Sequence, residues 1–108
     1  MSEQAKDITP QEAREAVAAG ALLLDVRRAD EIAERHIPGS TWILLDELQA
    51  RVAELPRDRQ IVVQCKSGGR SLRAANWLLG QGFDAVNMAG GIDEWQQLGL
   101  PVEPGNPN

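Results

Sequence analysis

Apolar residues in this chain fall into short unbroken runs, with helix-spaced segments between them. Ala21-Leu22-Leu23-Leu24 and Ile61-Val62-Val63 are continuous rather than alternating. A strand with one wet face alternates, so continuous runs predict strands covered on both faces, as in parallel sheets. Shorter candidates are Lys6-Asp7-Ile8, Thr41-Trp42-Ile43-Leu44 and residues 83–88. The intervening segments carry helix signals. Thr9 is placed as an N-cap, with Pro10 at the first helical position and Glu12 three residues after the cap. That helix stops at Gly20. A short charged helix is predicted over 29–35, and another over 46–55 with Leu48, Val52 and Leu55 on one face. Residues 71–79 put Leu72, Ala75, Leu78 and Leu79 at helical spacing, and a last helix is predicted over 92–98. Strands alternating with helices through short connections predict an α/β sandwich with a mainly parallel sheet.

Length and composition narrow the classes of function. With 108 residues, the chain is read as one domain over 1–108, its core about 6–102 and a flexible tail from 103 to 108. The formal net charge of -5 leaves a nucleic-acid partner without an electrostatic footprint. One cysteine and one histidine make neither an internal disulfide nor a zinc site, so no metal and no cofactor is expected. Residues 1–7 are polar and lack the apolar stretch of a secretory signal. No run approaches the roughly 18 apolar residues of a membrane span. The expectation is therefore a cytoplasmic protein without a membrane partner. Its oligomeric state is left open, as is excision from a larger chain.

The sole cysteine is the candidate for chemistry. Cys65 follows a predicted strand and precedes a predicted helix, with Lys66, Ser67, Gly68, Gly69, Arg70 and Ser71 between. In open α/β sheets, ligands bind at that edge. Free N–H groups at a helix start and the helix dipole favour an anion there. Gly68 and Gly69 let the backbone curl so that successive N–H groups point inward. Ser71 is expected to cap the helix that follows and to be able to donate to the sulfur. With Lys66 and Arg70 beside it, the thiol is expected to ionise more readily than at its ordinary value of roughly 8.5. The thiolate is the nucleophile, and it must be reachable from solvent. Lone cysteines are commonly small buried hydrophobes. The strand-end position, the glycines and the flanking cations turn the reading toward a nucleophile.

Asp25 and Arg27 fall at the carboxyl end of another predicted strand. They shape the rim of the same edge, or Arg27 pairs with Glu31 or Asp30. His36 precedes Ile37-Pro38-Gly39, which places it at a helix exit, capping carbonyls rather than acting as a base. Gly90 and Gly91 are read as a tight strand-to-helix turn and nothing more.

These pieces carry a resemblance. Cys65-Lys66-Ser67-Gly68-Gly69-Arg70-Ser71 resembles the C-x-x-G-x-R-[ST] loop of the rhodanese family. Leu24-Asp25-Val26-Arg27, the Glu31 to Ser40 segment with His36-Ile37-Pro38-Gly39-Ser40, Gly90-Gly91-Ile92-Asp93-Glu94-Trp95 and Gly99-Leu100-Pro101-Val102 resemble other elements of that family in the same order. The resemblance implies a three-layer fold, a five-stranded sheet with helices on both faces. It also implies a sulfurtransferase that takes sulfane sulfur from thiosulfate or a low-molecular-weight persulfide and passes it to a thiol, or to cyanide, through a Cys65 persulfide. The loop residues 66–71 would bind the sulfur, and Asp25, Arg27 and His36 would be structural support.

Two alternatives stand beside this. A persulfide carrier or binding module would use the same loop without turning over thiosulfate. A small-anion cysteine phosphatase would need C-x5-R, one residue longer than the Cys65-to-Arg70 spacing. For Arg70 itself, contact with substrate and locking of the loop by an acid are both open.

Overall fold

A computed structural model describes residues 4–105. Its centre is formed by the two continuous apolar runs. In chain order the regular elements are β1 (Asp7–Ile8), α1 (Pro10–Ala18), β2 (Leu22–Asp25), α2 (Ala29–Glu34), β3 (Thr41–Trp42), α3 (Leu48–Arg51), β4 (Ile61–Gln64), α4 (Gly69–Gly80), β5 (Ala85–Met88) and α5 (Gly91–Gln97). The five strands lie in the order β1-β5-β4-β2-β3, and every pairing between them is parallel.

β2 and β4 pair with Leu22 opposite Ile61 and Asp25 opposite Gln64. Strand side chains alternate between faces, and here each face has its own core. Leu24, Ile61, Val63 and Cys65 face α4 through Ala74, Ala75 and Leu78, with Leu48 and Leu55 closing the layer. Leu23, Val62 and Met88 face α1 through Ala13 and α5 through Ile92 and Trp95. The result is the predicted α/β arrangement, helices on both faces of a parallel sheet. It explains why the two central runs have no alternation: both faces of each are dry. Among the described residues, no helix is long and apolar enough to cross a membrane.

α1 starts as the sequence predicts. The Glu12 N–H donates to Thr9 Oγ1, 3.1 Å away, and the Thr9 N–H donates to Glu12 Oε1 at 2.9 Å. The predicted 46–55 helix does not form as one piece. Residues 45–47 and 52–54 are 3₁₀ turns, and only α3 between them is α-helical. The core-facing side chains of the segment stand at mixed spacing. Leu45 and Leu48 are three apart, as are Val52 and Leu55, and 3₁₀ geometry puts i and i+3 on one line. Leu48 and Val52 are four apart, and there the chain is α.

The segment predicted as a tail from Glu103 begins bonded to the rest of the domain. Glu103 and His36 exchange backbone hydrogen bonds of 2.8 and 2.9 Å, and the Gly105 N–H donates to the Ala33 carbonyl at 3.0 Å. This short antiparallel bridge straps the C-terminal segment across α2. Residues 106–108 of the expected tail lie outside the described residues.

Candidate active site

β4 delivers Cys65 to the carboxyl edge of the sheet, and the chain then turns into α4 within three residues. Gly68 makes the turn at φ +108°, a conformation that suits glycine. Its N–H reaches back to Cys65 Sγ at 3.1 Å, and the Ser71 hydroxyl lies 3.3 Å from the same sulfur. Burial pushes the thiol's pKa up. The Ser71 hydroxyl and the N–H groups of Ser71, Gly68 and Ser67 pull it down, and the net shift is downward from the ordinary value. Among the described residues, the Gly68 N–H is the backbone amide that bonds this sulfur.

Two expectations need correction, and the pairing left open for Arg70 is visible. The thiol is not open to solvent: Cys65 is 1% exposed, beneath exposed Lys66, Ser67 and Gly69. The flanking cations are not free either. Arg70 grips Glu31 with both arms of its guanidinium, at 2.7 and 2.8 Å, and Lys66 Nζ lies 3.0 Å from Asp93. Arg70 thus takes the locking role in this structure, tying α4 to α2. Ser71 does not cap the helix: the N-cap is Gly68, and no side chain caps it. The Ser71 hydroxyl turns inward, toward Cys65.

A second glycine turn supports the loop from below. The Ile92 and Asp93 N–H groups donate to the carbonyls of Cys65 and Lys66 at 2.9 and 3.1 Å. Gly91, at φ +60°, lies so close that a Cβ there would sit 2.4 Å from both carbonyl oxygens. Gly90 and Gly91 therefore do more than turn the chain. They let the start of α5 dock on the backbone that carries the cysteine.

Asp25 and Arg27 are buried at 0% and 1% exposure. Arg27 Nη2 lies 2.8 Å from Asp25 Oδ2, and its Nε bonds both carboxylate oxygens. Its partner is therefore Asp25, not Glu31 or Asp30. Residues i and i+2 on extended chain face the same way, whereas Glu31 is held by Arg70. Arg27 Nη2 also donates to the Arg35 carbonyl at 2.8 Å. That carbonyl lies at the end of α2, so Arg27 fills the capping role expected of His36. His36 instead places Nε2 2.9 Å from Glu103 Oε1, and none of these three side chains bonds Cys65 among the described residues.

The sequence reading gave Glu31 another partner and gave Asp93, Asn87 and Gln64 no role at the site. Glu31 and Asp93 hold the loop's cations. Asn87 Oδ1 lies 2.5 Å from Ser71 Oγ, and Asn87 Nδ2 donates to Asp7 Oδ1 at 2.9 Å. Asn87 did carry a signal: a polar residue inside the otherwise apolar Ala85-Val86-Asn87-Met88 must bury an amide. Gln64 is buried as well, and among the described residues neither its amide oxygen nor its nitrogen has a partner.

Comparison with known proteins follows the same lines. Residues 9–98 match the rhodanese-like domain family. A sulfurtransferase of Allochromatium vinosum is 40% identical over 82 residues, 75% of this chain and 77% of the relative. The thiosulfate sulfurtransferase GlpE of Actinobacillus pleuropneumoniae is 36% identical over 106 residues, 95% of this chain and 97% of that one. The crystal structure of a rhodanese-related protein from Thermoplasma volcanium superposes with a TM-score of 0.85 at 33% identity, covering 91% of this chain and 97% of that one.

Proposed function

The chain belongs to the rhodanese-like domain family, whose relatives here are sulfurtransferases, and from that premise we propose that it moves sulfane sulfur through a persulfide on Cys65. The donor is thiosulfate or a low-molecular-weight persulfide, and the acceptor is a thiol, with cyanide serving in assays. The Cys65 thiolate attacks the outer sulfur of thiosulfate. A sulfur–sulfur bond forms to Cys65 while the donor's own sulfur–sulfur bond breaks, and sulfite leaves with that electron pair. The nucleophilic acceptor then attacks the outer sulfur of the persulfide and returns Cys65 as thiolate. This is covalent catalysis in two half-reactions.

One observation carries the reading: the Gly68 N–H and the Ser71 hydroxyl converge on Cys65 Sγ at 3.1 and 3.3 Å. Preorganised donors of this kind stabilise an anionic sulfur in a site shielded from water. Size favours sulfur over phosphate. Four residues separate Cys65 from Arg70, and a ring closed by one residue fewer than C-x5-R encloses a smaller space. The cytoplasm suits the reaction, because a chain with one cysteine has no internal disulfide that would call for an oxidising compartment.

The test is direct. The protein is incubated with thiosulfate, desalted and weighed intact. A gain of one sulfur atom that Cys65→Ser abolishes supports the reading, and release of thiocyanate on adding cyanide completes it. No gain with thiosulfate or with a glutathione persulfide sinks it.

The carrier reading has its own support. Lys66 and Arg70 are both engaged by carboxylates, so a dianionic donor must compete with Asp93 and Glu31 for them. A persulfide of lower charge, delivered by a small thiol or a protein, meets less competition. Steady-state comparison of thiosulfate with glutathione persulfide separates the two. A carrier takes sulfur from the persulfide and turns over thiosulfate poorly.

A further inference from the structure

Ser71 Oγ lies within hydrogen-bonding distance of three acceptors and has one proton to give. Cys65 Sγ is 3.3 Å away, the Gly68 carbonyl 3.2 Å and Asn87 Oδ1 2.5 Å. The orientation of the Asn87 amide is fixed from its other side. Its Nδ2 donates to Asp7 Oδ1 at 2.9 Å, and an acidic side chain there selects the nitrogen. The amide oxygen is thereby turned toward Ser71, and Asn87 is 3% exposed, away from bulk solvent. These residues come from three elements: Asp7 on β1, Asn87 on β5 and Ser71 on α4. The register of Asp7 opposite Asn87 brings the first two together.

We propose that Asn87, held by Asp7, is a positioning residue that draws the Ser71 hydroxyl proton away from Cys65 and so restrains the nucleophile until its sulfur carries charge. With Cys65 a thiol, the Ser71 proton goes to Asn87 Oδ1, and the Ser71 lone pairs face the S–H. When Cys65 loses its proton to solvent, the hydroxyl must rotate toward the sulfur. The buried Asn87 oxygen is then left without a donor, a state that carries a desolvation cost. The inference rests on Cys65 being the nucleophile, and it assigns a role to two residues outside the loop.

The charged groups around the sulfur are Lys66 and Arg70 on its own loop and helix. Beyond them are Glu31 and Asp93, which pair with those two, and Arg35, which pairs with Asp93. The Asp25–Arg27 pair lies on the neighbouring strand. Asp7 on β1 is the one carboxylate that a substitution at Asn87 releases, so the same substitution in the Ser71→Ala background separates the hydrogen bond from the field.

The experiment is a pH titration of the Cys65 thiolate by its ultraviolet absorbance, with Cys65→Ser as the blank. The chain has one cysteine and no tyrosine, so no tyrosinate signal interferes. Asn87→Ala frees the Ser71 proton for the sulfur, and the titration midpoint should fall by about one pH unit. Ser71→Ala should raise the midpoint, and Asn87→Ala added to Ser71→Ala should then change nothing. A midpoint that stays or rises in Asn87→Ala overturns the proposal. So does an equal fall in the Ser71→Ala background, which would mean that Asn87 acts by another route.

Should Asn87→Ala fail to fold, Asp7→Ala at an exposed position decides between the outcomes. Its midpoint should fall more in the wild-type background than in Ser71→Ala, and equal falls overturn the proposal. No sulfur donor enters the measurement. A protein that titrates as predicted but takes up no sulfur would sink the transfer reading alone.

Discussion

A sulfur buried to 1% exposure ionises readily only if fixed donors replace the water it has lost. Here the Gly68 N–H and the Ser71 hydroxyl replace it, so the chemistry depends on where the backbone of 65–71 is held. Gly91 holds it. Gly91→Ala would put a methyl group 2.4 Å from the Cys65 and Lys66 carbonyl oxygens, and neither backbone group can swing away as a side chain tip would. We expect Gly91→Ala to cut sulfur transfer about a hundredfold, the loss of roughly one well-placed donor, while the fold survives by circular dichroism. Gly80→Ala is the opposite case. No atom lies within 4 Å of its added methyl group, so it should raise the stability slightly in thermal melts, by about 0.5–1 kcal/mol, and leave transfer unchanged. At the same scale, Asp25→Asn strips the partner from a buried guanidinium and should cost about 3–5 kcal/mol in denaturant unfolding. Cys65, the loop and the buried Asp25 and Arg27 were all visible in the sequence as motif letters. The Asn87 relay was not, because its members are 80 and 16 residues apart.

Between elements, the Arg70–Glu31 pair is the clearest fastening, joining the first turn of α4 to the first turn of α2. The Arg70 guanidinium holds the Glu31 carboxyl down at about 2, well below its usual 4.5. A lowered carboxyl pKa contributes stability above the unfolded value and loses it as pH falls through the folded one. The contribution of Glu31 is therefore complete above about pH 4.5 and disappears toward pH 2. Glu31→Gln should be less stable than wild type at pH 7 by about 1 kcal/mol, and the gap should close across that window in thermal melts. If Arg70 must leave Glu31 to meet a dianionic donor, the same variant should lower KM for thiosulfate. Element positions were legible because burial of apolar runs fixes strands and helices locally. The broken 45–55 segment was not, since Leu48, Val52 and Leu55 also fit the spacing of one continuous α-helix.

Across the whole molecule, parallel pairing brings the ends of β4 and β5 side by side, so their two glycine turns interlock. The C-terminal segment then closes over α2 through the backbone bonds between His36 and Glu103. Truncation after Val102 removes those bonds and uncovers a histidine that is 2% exposed. The expected loss is about 1–2 kcal/mol in unfolding free energy, with sulfur transfer retained, since the strap does not bond the loop.

Sequence alone determined the alternation of strands and helices, the two-sided burial of the central runs, the parallel sheet and the cysteine at its carboxyl edge. Each follows from local order along the chain, where hydrophobic period and glycine placement act over a few residues. Only the tertiary structure decided which acid meets which base, that the thiol is roofed, and that Asn87 competes for the Ser71 proton. Those outcomes depend on distances between segments far apart in the chain, and such distances exist only once the sheet has assembled.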